Sequence, residues 1–497
     1  MIPRHSFRLI LALVASLLTH GSATAQAPRN ATVEFNRDIR PILSNNCFVC
    51  HGPDKNLRKG DLRLDLEETA FADRGGYHLL IPGKPDKSEL YRRISAKDAK
   101  ERMPPVKHRT QLTQREIDLV RRWIEQGAKW QGHWSLIVPK RVALPPVADR
   151  SWPINAVDHF ILAKLDEEKL KPSPEADRRT LLRRLSFDLT GLPPSAEAVD
   201  AFVADTSPKA YEQAIDRLLA SPHYGERLTQ YWLDVVRYAD TGGYHSDNHR
   251  DVYLYRDWVI DAFNKNLPFD RFAIDQLAGD LVPNATAGQK IASGYNRLLQ
   301  TTEEGGAQPK EYLAKYAADR VRNTATIWLG LTMGCAECHN HKFDPLTTKE
   351  FYSFAAFFAD LKEKAVGRQD QTPLPTPTQA AELQRFDKRI ADLQKTLSAP
   401  NPELDAAQTK WEASVRGKAP KGLPKDVIAA LAVDPAKRNA KQQQAVTAYY
   451  RSIAPELREV SKQLANLQRQ KQQITQSIPT TLVSMAVPPR TMRVLPR

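Results

Sequence analysis

Apolar residues recur at helical spacing at both ends of the region 31–134. The first stripe consists of Ile39, Ile42 and Leu43. It predicts a helix over residues 35–46. Near the other end, Thr113 and Glu116 have the spacing of a capping box, which marks the start of a helix. The stripe of that helix consists of Ile117, Val120, Ile124 and Ala128. The pattern therefore predicts a small helical domain that begins and ends with a helix.

A longer helical pattern follows a proline-rich stretch. Residues 135–153 contain several prolines and few periodic apolar residues, which predicts a stiff linker. Beyond it, residues 154–365 carry stripes at helical spacing and few of the alternating runs that strands show. The predicted helices cover 154–170, 178–189, 221–239, 252–264, 269–281 and 311–331. We therefore predict a mainly α fold with a second, larger helical domain.

Two further stripes with spacings of three and four residues lie within residues 380–476. The first consists of Leu383, Phe386, Ile390, Leu393 and Leu397. The second consists of Ile453, Leu457, Val460, Leu464, Leu467 and Ile474. This spacing predicts an antiparallel coiled-coil hairpin, an arm for interaction or spacing. The remaining residues, 477–497, resemble the start of a further domain. The protein is then either naturally short or a fragment of a longer chain, and we favour the fragment.

The amino terminus has the layout of a secretory signal. Arg4 and Arg8 precede the apolar stretch 9–18, and Ala23-Thr24-Ala25 offers a cleavage site after Ala25. The apolar stretch is much shorter than the roughly 20 residues that span a bilayer. The sequence therefore predicts that residues 1–25 are a signal peptide and that the mature chain is exported to the periplasm or cell envelope.

The chain is basic, with 72 Lys and Arg residues against 58 Asp and Glu and a formal net charge of +14. From residue 380 to the end there are 20 basic and 10 acidic residues, so most of the excess lies in the last quarter. An exported basic surface suits an acidic protein, such as a redox partner, or an anionic glycan or membrane surface better than nucleic acid. A solvated helical surface explains the same composition, and the oligomeric state stays open.

All four cysteines lie in two copies of the pattern Cys-x-x-Cys-His. The copies are Cys47-Phe48-Val49-Cys50-His51 and Cys335-Ala336-Glu337-Cys338-His339. Two thiols and an adjacent imidazole at this spacing attach haem c covalently and bind its iron. The alternatives are a redox-active cysteine pair, a structural disulfide or half of a zinc site, and none of them requires the histidine. We predict haem c at Cys47 and Cys50 with His51 on the iron, and a second haem at Cys335, Cys338 and His339.

Met103 is the candidate for the other axial ligand of the first iron. It is the only methionine between the signal peptide and residue 333, and two prolines follow it. Proline favours extended backbone at the residue before it, so the strap can present one thioether at a fixed depth. Its neighbours Lys100, Glu101 and Arg102 are polar, which makes a role as core filler less natural. Coordination by His and Met raises the reduction potential above that of a bis-His haem.

Several runs of residues resemble a known pair of domains. The runs 35–43, 47–53, 62–65 and 103–105 together resemble the planctomycete-type cytochrome c domain. The resemblance implies that Cys47 and Cys50 carry the haem, that His51 is the proximal ligand and that Met103 is the distal ligand. The runs 185–194, 237–241, 255–259 and 330–345 resemble the domain of unknown function that follows this cytochrome domain. That second resemblance indicates a class of protein without indicating a reaction.

The second motif has no obvious distal ligand. Met333 lies two residues before Cys335, and His341 lies two residues after His339. Both are therefore poorly placed to reach the opposite haem face. The more distant candidates are His223, His245 and His249. An open sixth position is the alternative, and it would permit ligand or peroxide chemistry.

Three functions are compatible with these features. The first hypothesis is an exported multi-domain c-type cytochrome with one or two haems that transfers electrons outside the cytoplasm. The second is a haem oxidoreductase or glycan-active enzyme whose helical domain binds substrate, and the third is a mono-haem binding or scaffold protein. Acidic residues for glycan chemistry exist, namely Asp240, Asp247, Glu303 and Glu304. Caps and surface ion pairs are their commoner roles, so we favour electron transfer over hydrolysis.

Overall fold

The computed structural model describes residues 32–494, apart from residues 56, 109, 245 and 419–421. The predicted signal peptide, residues 1–25, lies outside the described residues. Helices dominate the fold, which confirms the prediction of a mainly α protein. The only strands of the described residues are Thr372–Pro373 and Thr480–Thr481, which pair antiparallel. In this part of the chain, no helix combines the length and the apolar character needed to cross a bilayer.

The chain forms two compact units that alternate along the sequence. The first unit comprises the described residues of 1–174, 330–357 and 492–497. The second comprises residues 175–329 and 358–491. Packing therefore groups the segment that carries Cys335 and His339 with the first motif, whereas the sequence placed it in the larger helical domain.

The first unit is built from short helices. Its α-helices are Arg40–Asn46, Phe48–His51, Glu67–Ala70, Glu89–Ser95, Gln114–Glu125, Ala156–Glu167 and Thr348–Ala356. Its 3₁₀ turns are Pro85–Lys87, Trp134–Leu136 and Met333–Glu337. The predicted helix over 35–46 begins with a π-helical turn, Phe35–Ile39. Pro41 has no N–H for the α-helical ladder and crowds the carbonyl group four residues before it, so the preceding turn is wound more loosely.

The core of the first unit lies between its first helices and the helix Gln114–Glu125. Phe35 packs against Trp123 and Trp130, with ring centroids 5.5 and 4.0 Å apart. The buried side chains around them include Ile39, Ile42, Leu43, Phe48, Val120 and Ile124. This aromatic and aliphatic core fixes the end of the helix from which the first motif continues.

The predicted capping box is present at the start of Gln114–Glu125. The backbone N–H of Glu116 donates to the hydroxyl of Thr113 at 3.3 Å, and the N–H of Thr113 donates to the Glu116 carboxylate at 2.7 Å. Three residues of the predicted stripe are buried, namely Val120, Ile124 and Ala128. Trp123 is buried with them, although the stripe did not include it.

The second unit contains longer helices. Before the second motif these are Arg178–Thr190, Ala196–Ala204, Ala210–Leu219, Pro222–Val236, Tyr253–Asn264, Phe269–Ala278, Ala287–Ala292 and Pro309–Leu329. Two 3₁₀ turns, Gly279–Leu281 and Ser293–Arg297, join them. Inside this core, Trp232 Nε1 donates to the Tyr255 hydroxyl at 3.0 Å, and that hydroxyl donates to Gln276 at 2.6 Å. The side chains of Trp232, Tyr255 and Gln276 are therefore paired with each other.

Two long helices, Pro377–Ser398 and Arg458–Ser477, pack along each other within the second unit. Gln379 contacts Ser477 at 3.4 Å, and Asp387 pairs with Lys471, so the two helices are antiparallel. Shorter helices lie between them in sequence, namely Pro402–Val415, Lys425–Leu431 and Ala440–Ile453, with 3₁₀ turns at Pro435–Lys437 and Pro455–Leu457. Coiled-coil packing of the two long helices stays a prediction.

The C-terminal segment of the second unit packs against the core of that unit. Leu482 is buried, and the Ser484 hydroxyl donates to the Ser293 carbonyl oxygen at 2.9 Å. Arg490 contacts the carboxylate of Glu363 at 2.9 Å, and Glu363 also pairs with Arg320. Residues up to 491 therefore pack as part of the second unit.

Candidate functional site

The first Cys-x-x-Cys-His motif forms one helical turn after the helix Arg40–Asn46. The N–H of Cys47 donates to the Leu43 carbonyl oxygen at 2.8 Å, and the N–H of His51 donates to the Cys47 carbonyl oxygen at 2.8 Å. Residues three and four apart share one face of a helix. Cys47, Cys50 and His51 therefore lie on one face, as attachment of one porphyrin through two thiols and an imidazole requires.

A backbone contact orients the imidazole of His51. Its Nδ1 lies 3.1 Å from the carbonyl oxygen of Lys59, which can only accept, so Nδ1 carries the hydrogen. Burial lowers the pKa of His51, although the bond to Lys59 opposes this effect. The neutral ring then has its free lone pair on Nε2, the atom that an iron ligand must offer.

The thiols of the first motif fit covalent attachment better than redox cycling. All four cysteines of the chain are free thiols without a disulfide. Burial, with a smaller contribution from Cys50, raises the pKa of the Cys47 thiol to about 12. A redox-active cysteine pair needs a lowered pKa, so the structure argues against that alternative here.

A zinc site gains no support from the structure either. Within the part of the chain that the structure describes, no group of three or more His, Cys, Asp or Glu side chains is arranged to hold a metal ion. A structural zinc site requires four such ligands around one point.

Met103 is a partly exposed residue on a strap tied to a neighbouring helix. Its backbone N–H donates to the Arg93 carbonyl oxygen at 3.0 Å, which ties the strap to the helix Glu89–Ser95. The following Pro104 is buried, whereas the Met103 residue is 38 % exposed. A methionine that fills a core is buried, so this side chain is free for another contact.

Glu89 organises the helix to which this strap is tied. A hydrogen bond from Arg92, opposed by burial and supported by a second hydrogen bond from Arg93, lowers the pKa of Glu89 to about 2. We expect Glu89→Gln to lower the free energy of unfolding by about 1–2 kcal/mol at pH 7. This value is smaller than the pKa shift alone would give, because both arginines are partly exposed and water screens their charges. The measurement is urea unfolding of the full chain at several pH values.

The pH dependence of this effect has a defined sign. The folded-state pKa is depressed, so the contribution of Glu89 is present above its unfolded pKa of about 4.3 and is lost as the pH falls towards 2. The variant and the native chain should thus converge in acid. Glu125→Gln, which breaks an exposed pair with Arg121, is the matched control and should leave the unfolding midpoint unchanged. A pH-independent difference at Glu89 would contradict the prediction.

The second motif forms a looser turn than the first. The N–H of His339 lies 3.5 Å from the Cys335 carbonyl oxygen, and Cys335 is exposed whereas Cys338 is half-buried. The Nδ1 of His339 lies 2.8 Å from the Asn340 carbonyl oxygen, so Nδ1 carries the hydrogen here too. Its Nε2 therefore offers a free lone pair, as that of His51 does.

The histidines considered as distal ligands of the second iron have other partners or positions. His223 pairs with Glu226 at 2.6 Å and His249 with Asp251 at 3.2 Å, both in the second unit. His245 lies outside the described residues. His341 is buried, and its Nδ1 accepts the backbone N–H groups of Phe343 and Asp344, at 3.2 and 3.0 Å. Each described histidine of this set therefore has a hydrogen-bond partner of its own.

Sequence analysis missed the residues that join the two motifs within the first unit. Arg40 Nη2 donates to the Phe343 carbonyl oxygen at 2.8 Å. His133 Nε2 contacts the Asp344 carboxylate at 2.9 Å. Nothing in the sequence singled out His133, because a lone histidine between a glycine and a tryptophan belongs to no motif and no apolar stripe.

The acidic residues suggested for glycan chemistry have structural contacts. Asp240 accepts the Tyr238 hydroxyl at 2.6 Å, and Asp247 accepts the Gly243 N–H at 2.9 Å. Glu304 donates its backbone N–H to the Thr302 hydroxyl at 3.2 Å. These bonds lie within loops of the second unit, and the choice between a structural and a catalytic role for these residues stays a prediction.

Comparison with protein families gives two matches. Residues 47–107 match the family model of the planctomycete cytochrome C. Residues 156–363 match the model of a protein of unknown function, DUF1549. The order of the two domains is the one expected from the sequence, and the first match implies haem c as the cofactor. Searches of curated proteins and of solved structures gave no match.

Proposed function

We propose that this chain, which contains a planctomycete cytochrome c domain followed by a DUF1549 domain, is an exported dihaem cytochrome that transfers electrons outside the cytoplasm. One observation carries the proposal: a helical turn of the cytochrome domain puts two free thiols and an imidazole with an available Nε2 on one face. Bound haem supplies one-electron chemistry. The chain's own residues attach it, orient it and shield it from water.

The motifs and the contacts support a role for each residue. Cys47 and Cys50 would attach the first haem, and His51 and Met103 would bind its iron. Lys59 holds His51 in the tautomer that leaves Nε2 free. Cys335, Cys338 and His339 hold the second haem in the same way, with Asn340 in the role of Lys59.

Haem stoichiometry tests this proposal directly. We expect two haems per chain when the protein is matured by a c-type assembly system, measured as pyridine haemochrome absorbance and intact mass. The double variants Cys47→Ser/Cys50→Ser and Cys335→Ser/Cys338→Ser should each lose one haem. One haem per native chain would reduce the second motif to a structural element, and no haem would contradict the whole proposal.

Binding of a small ligand at an open sixth position of the second iron is a second candidate function. The residues around His339 favour it. The cavity next to His339 is lined by no methionine and no other histidine among the described residues. We therefore expect the reduced native protein to bind carbon monoxide at one haem, seen as a shift of half of the Soret absorbance. Carbon monoxide binding that persists in Cys335→Ser/Cys338→Ser would assign the open site to the first haem and contradict this candidate.

The basic surface suggests an acidic redox partner protein. Positive charge concentrated in residues 380–497 would attract such a partner over about 8 Å at physiological ionic strength. Electron transfer to an acidic carrier should then slow as salt increases, whereas transfer to a neutral dye should not. Equal salt dependence with both acceptors would contradict an electrostatic docking surface.

A further inference from the structure

The helix Ala156–Glu167 of the first unit exposes an apolar face. Val157, Phe160 and Ile161 lie three and four residues apart, so they share one side of the helix. They are 66, 45 and 51 % exposed, and Ile154, just before the helix, is 94 % exposed. These four residues are called the apolar face below. Leu162 is the only buried residue of the helix, and among the described residues no other helix packs along it.

Hydrogen bonds at the start of the helix hold the apolar face in place. The side-chain oxygen of Asn155 accepts the N–H of Val157 at 2.8 Å, which caps the helix. The N–H of Ile154 donates to the Asp158 carboxylate at 2.8 Å. Ile154 is therefore fixed beside the first turn, and the apolar face is an ordered surface.

The linker before this helix is also apolar and exposed. The N–H of Ala148 donates to the Asp166 carboxylate at 2.9 Å, so the linker ends against the helix. Further along the linker, four large apolar residues are each 64–77 % exposed, namely Trp134, Leu136, Val138 and Val142. Exposed apolar residues that occur singly need no explanation, but a large group of them marks an interaction site.

The area of the apolar face corresponds to one side of a protein dimer. Its four residues expose about 500 Å² in total, taking roughly 200 Å² for one fully exposed residue of this size. One side of a stable interface covers about 800 Å², and about 65 % of a homodimer interface is apolar, which gives roughly 520 Å² of apolar surface. The apolar face alone therefore supplies the apolar surface that such an interface needs.

The charges of the helix disfavour a membrane as the partner. The helix carries the acidic residues Asp158, Asp166 and Glu167, and Lys164 is its one basic residue. Lys164 already pairs with Glu167 and Glu168, at 2.9 and 2.8 Å. Helices that lie on anionic membranes carry several Lys and Arg residues on their polar side. An acidic helix is therefore repelled by such a surface.

A second copy of the helix, lying antiparallel to the first, suits these charges better. Glu167 and Glu168 lie at the C-terminal end, where the dipole of their own helix is already negative. In an antiparallel pair, this acidic end lies beside the N-terminal turn of the other helix, where the dipole is positive. Phe160 and Ile161, at the centre, then meet the same two residues across a two-fold axis, as an isologous interface requires.

We propose that the apolar face is a homodimer interface, in which the helix Ala156–Glu167 pairs with its copy in a second chain. The helix belongs to the first unit, so the pairing brings the first units of two chains next to each other. The two Cys-x-x-Cys-His motifs supply none of the four residues. The proposal therefore holds or fails independently of the number of haems.

Sedimentation velocity of the full haem-loaded chain, over a series of concentrations, tests this proposal. The native protein should sediment with twice the mass of one chain. Phe160→Lys places a charge at the centre of the interface and should raise the dissociation constant of the dimer by at least about 30-fold, the loss expected for a central anchor. Phe357→Lys is the matched control and should leave the dimer unchanged, because Phe357 is a 79 % exposed residue of the same unit outside this helix.

Three results of this experiment would overturn the proposal. The first is a native chain that stays monomeric at every concentration. The second is a Phe160→Lys dimer as tight as the native one. The third is a native monomer that co-sediments with vesicles of phosphatidylcholine and phosphatidylglycerol, since this would assign the apolar face to a lipid surface.

Hydrogen exchange of the native protein gives an answer that needs no variant. Amide protection of Ala156–Glu167, followed by mass spectrometry, should increase as the concentration and the dimer fraction rise. The helix Gln114–Glu125 of the same unit is the internal control and should exchange at a constant rate. A dimer that forms without added protection of Ala156–Glu167 would show that the chains pair through another surface, and it would overturn the proposal.

Discussion

Replacing Glu363 by glutamine is expected to lower the free energy of unfolding of the second unit by about 3–5 kcal/mol. The side chains of Glu363 and Arg320 are only 2 % and 4 % exposed, and Arg490 contacts the same carboxylate. Removal of the negative charge leaves the Arg320 guanidinium buried without its counter-charge, and this is costlier than loss of an exposed pair. Since whole domains are stable by only about 5–15 kcal/mol, the urea midpoint at pH 7 should fall strongly.

The pH dependence provides an internal check of this prediction. Burial alone would raise the pKa of Glu363, but the charges of Arg320, Arg490 and Arg297 outweigh it and hold that pKa below its ordinary value. The stabilising contribution is therefore present above the unfolded pKa of about 4.3 and decreases as the pH falls below it. Glu311→Gln removes the exposed partner of Lys315 and is the matched control, with no expected change in the midpoint. A native-like midpoint for Glu363→Gln at pH 7 would contradict the prediction.

Some helices could be predicted from the sequence and others were missed. The stripe of Gln114–Glu125 and its capping box are present as predicted. The helix Ala210–Leu219 was missed although Tyr211, Ile215 and Leu218 have helical spacing; its buried residues, Ala210 and Ala214, are small. Ala196–Ala204 is also short and alanine-rich, with Phe202 as its only buried residue. Periodicity reports side-chain contrast, so small buried residues escape it.

The sequence alone did not predict that the two motifs belong to the same compact unit. The spacing within Cys47–His51 predicts one helical face, because it depends on residues three and four apart. The proximity of the second motif depends instead on contacts such as His133 with Asp344, which join residues far apart in the chain. No local pattern encodes such a pair. The sequence could therefore identify the residues of each site but not that both border one cavity.

The same difference between contacts close in sequence and contacts far apart in sequence explains why the distal ligands were the hardest residues to predict. A proximal histidine is fixed by adjacency to its cysteines, whereas a distal ligand approaches from a different segment. Met103 stood out only because methionine is rare in this chain and prolines follow it. The structure adds that the Met103 residue is partly exposed and that its backbone is tied to Arg93. Among the described residues that line the cavity next to His339, no methionine on a comparable strap occurs.

Met103→Ala should therefore change the first haem more than any other substitution outside the two motifs. Loss of the thioether removes the ligand that raises the reduction potential, so the midpoint of the first haem should fall by on the order of 0.1 V, within the roughly 0.8 V that axial ligands span. The methionine-to-iron charge-transfer band should vanish, and carbon monoxide should gain access to this iron. The measurements are a spectroelectrochemical titration and carbon monoxide difference spectra of the full chain.

The expected result for Met103 depends on ligation and not on loss of a methionine as such. Met485 is 43 % exposed and lies in the second unit, so Met485→Ala is a matched control that should leave potential and spectra unchanged. Haem content should remain equal in both variants, because the cysteines and His51 are untouched. Met103→Ala with a native potential and a native charge-transfer band would show that the iron takes its sixth ligand elsewhere. Met103 would then be an ordinary partly exposed apolar residue, since exposed apolar side chains are common on folded proteins.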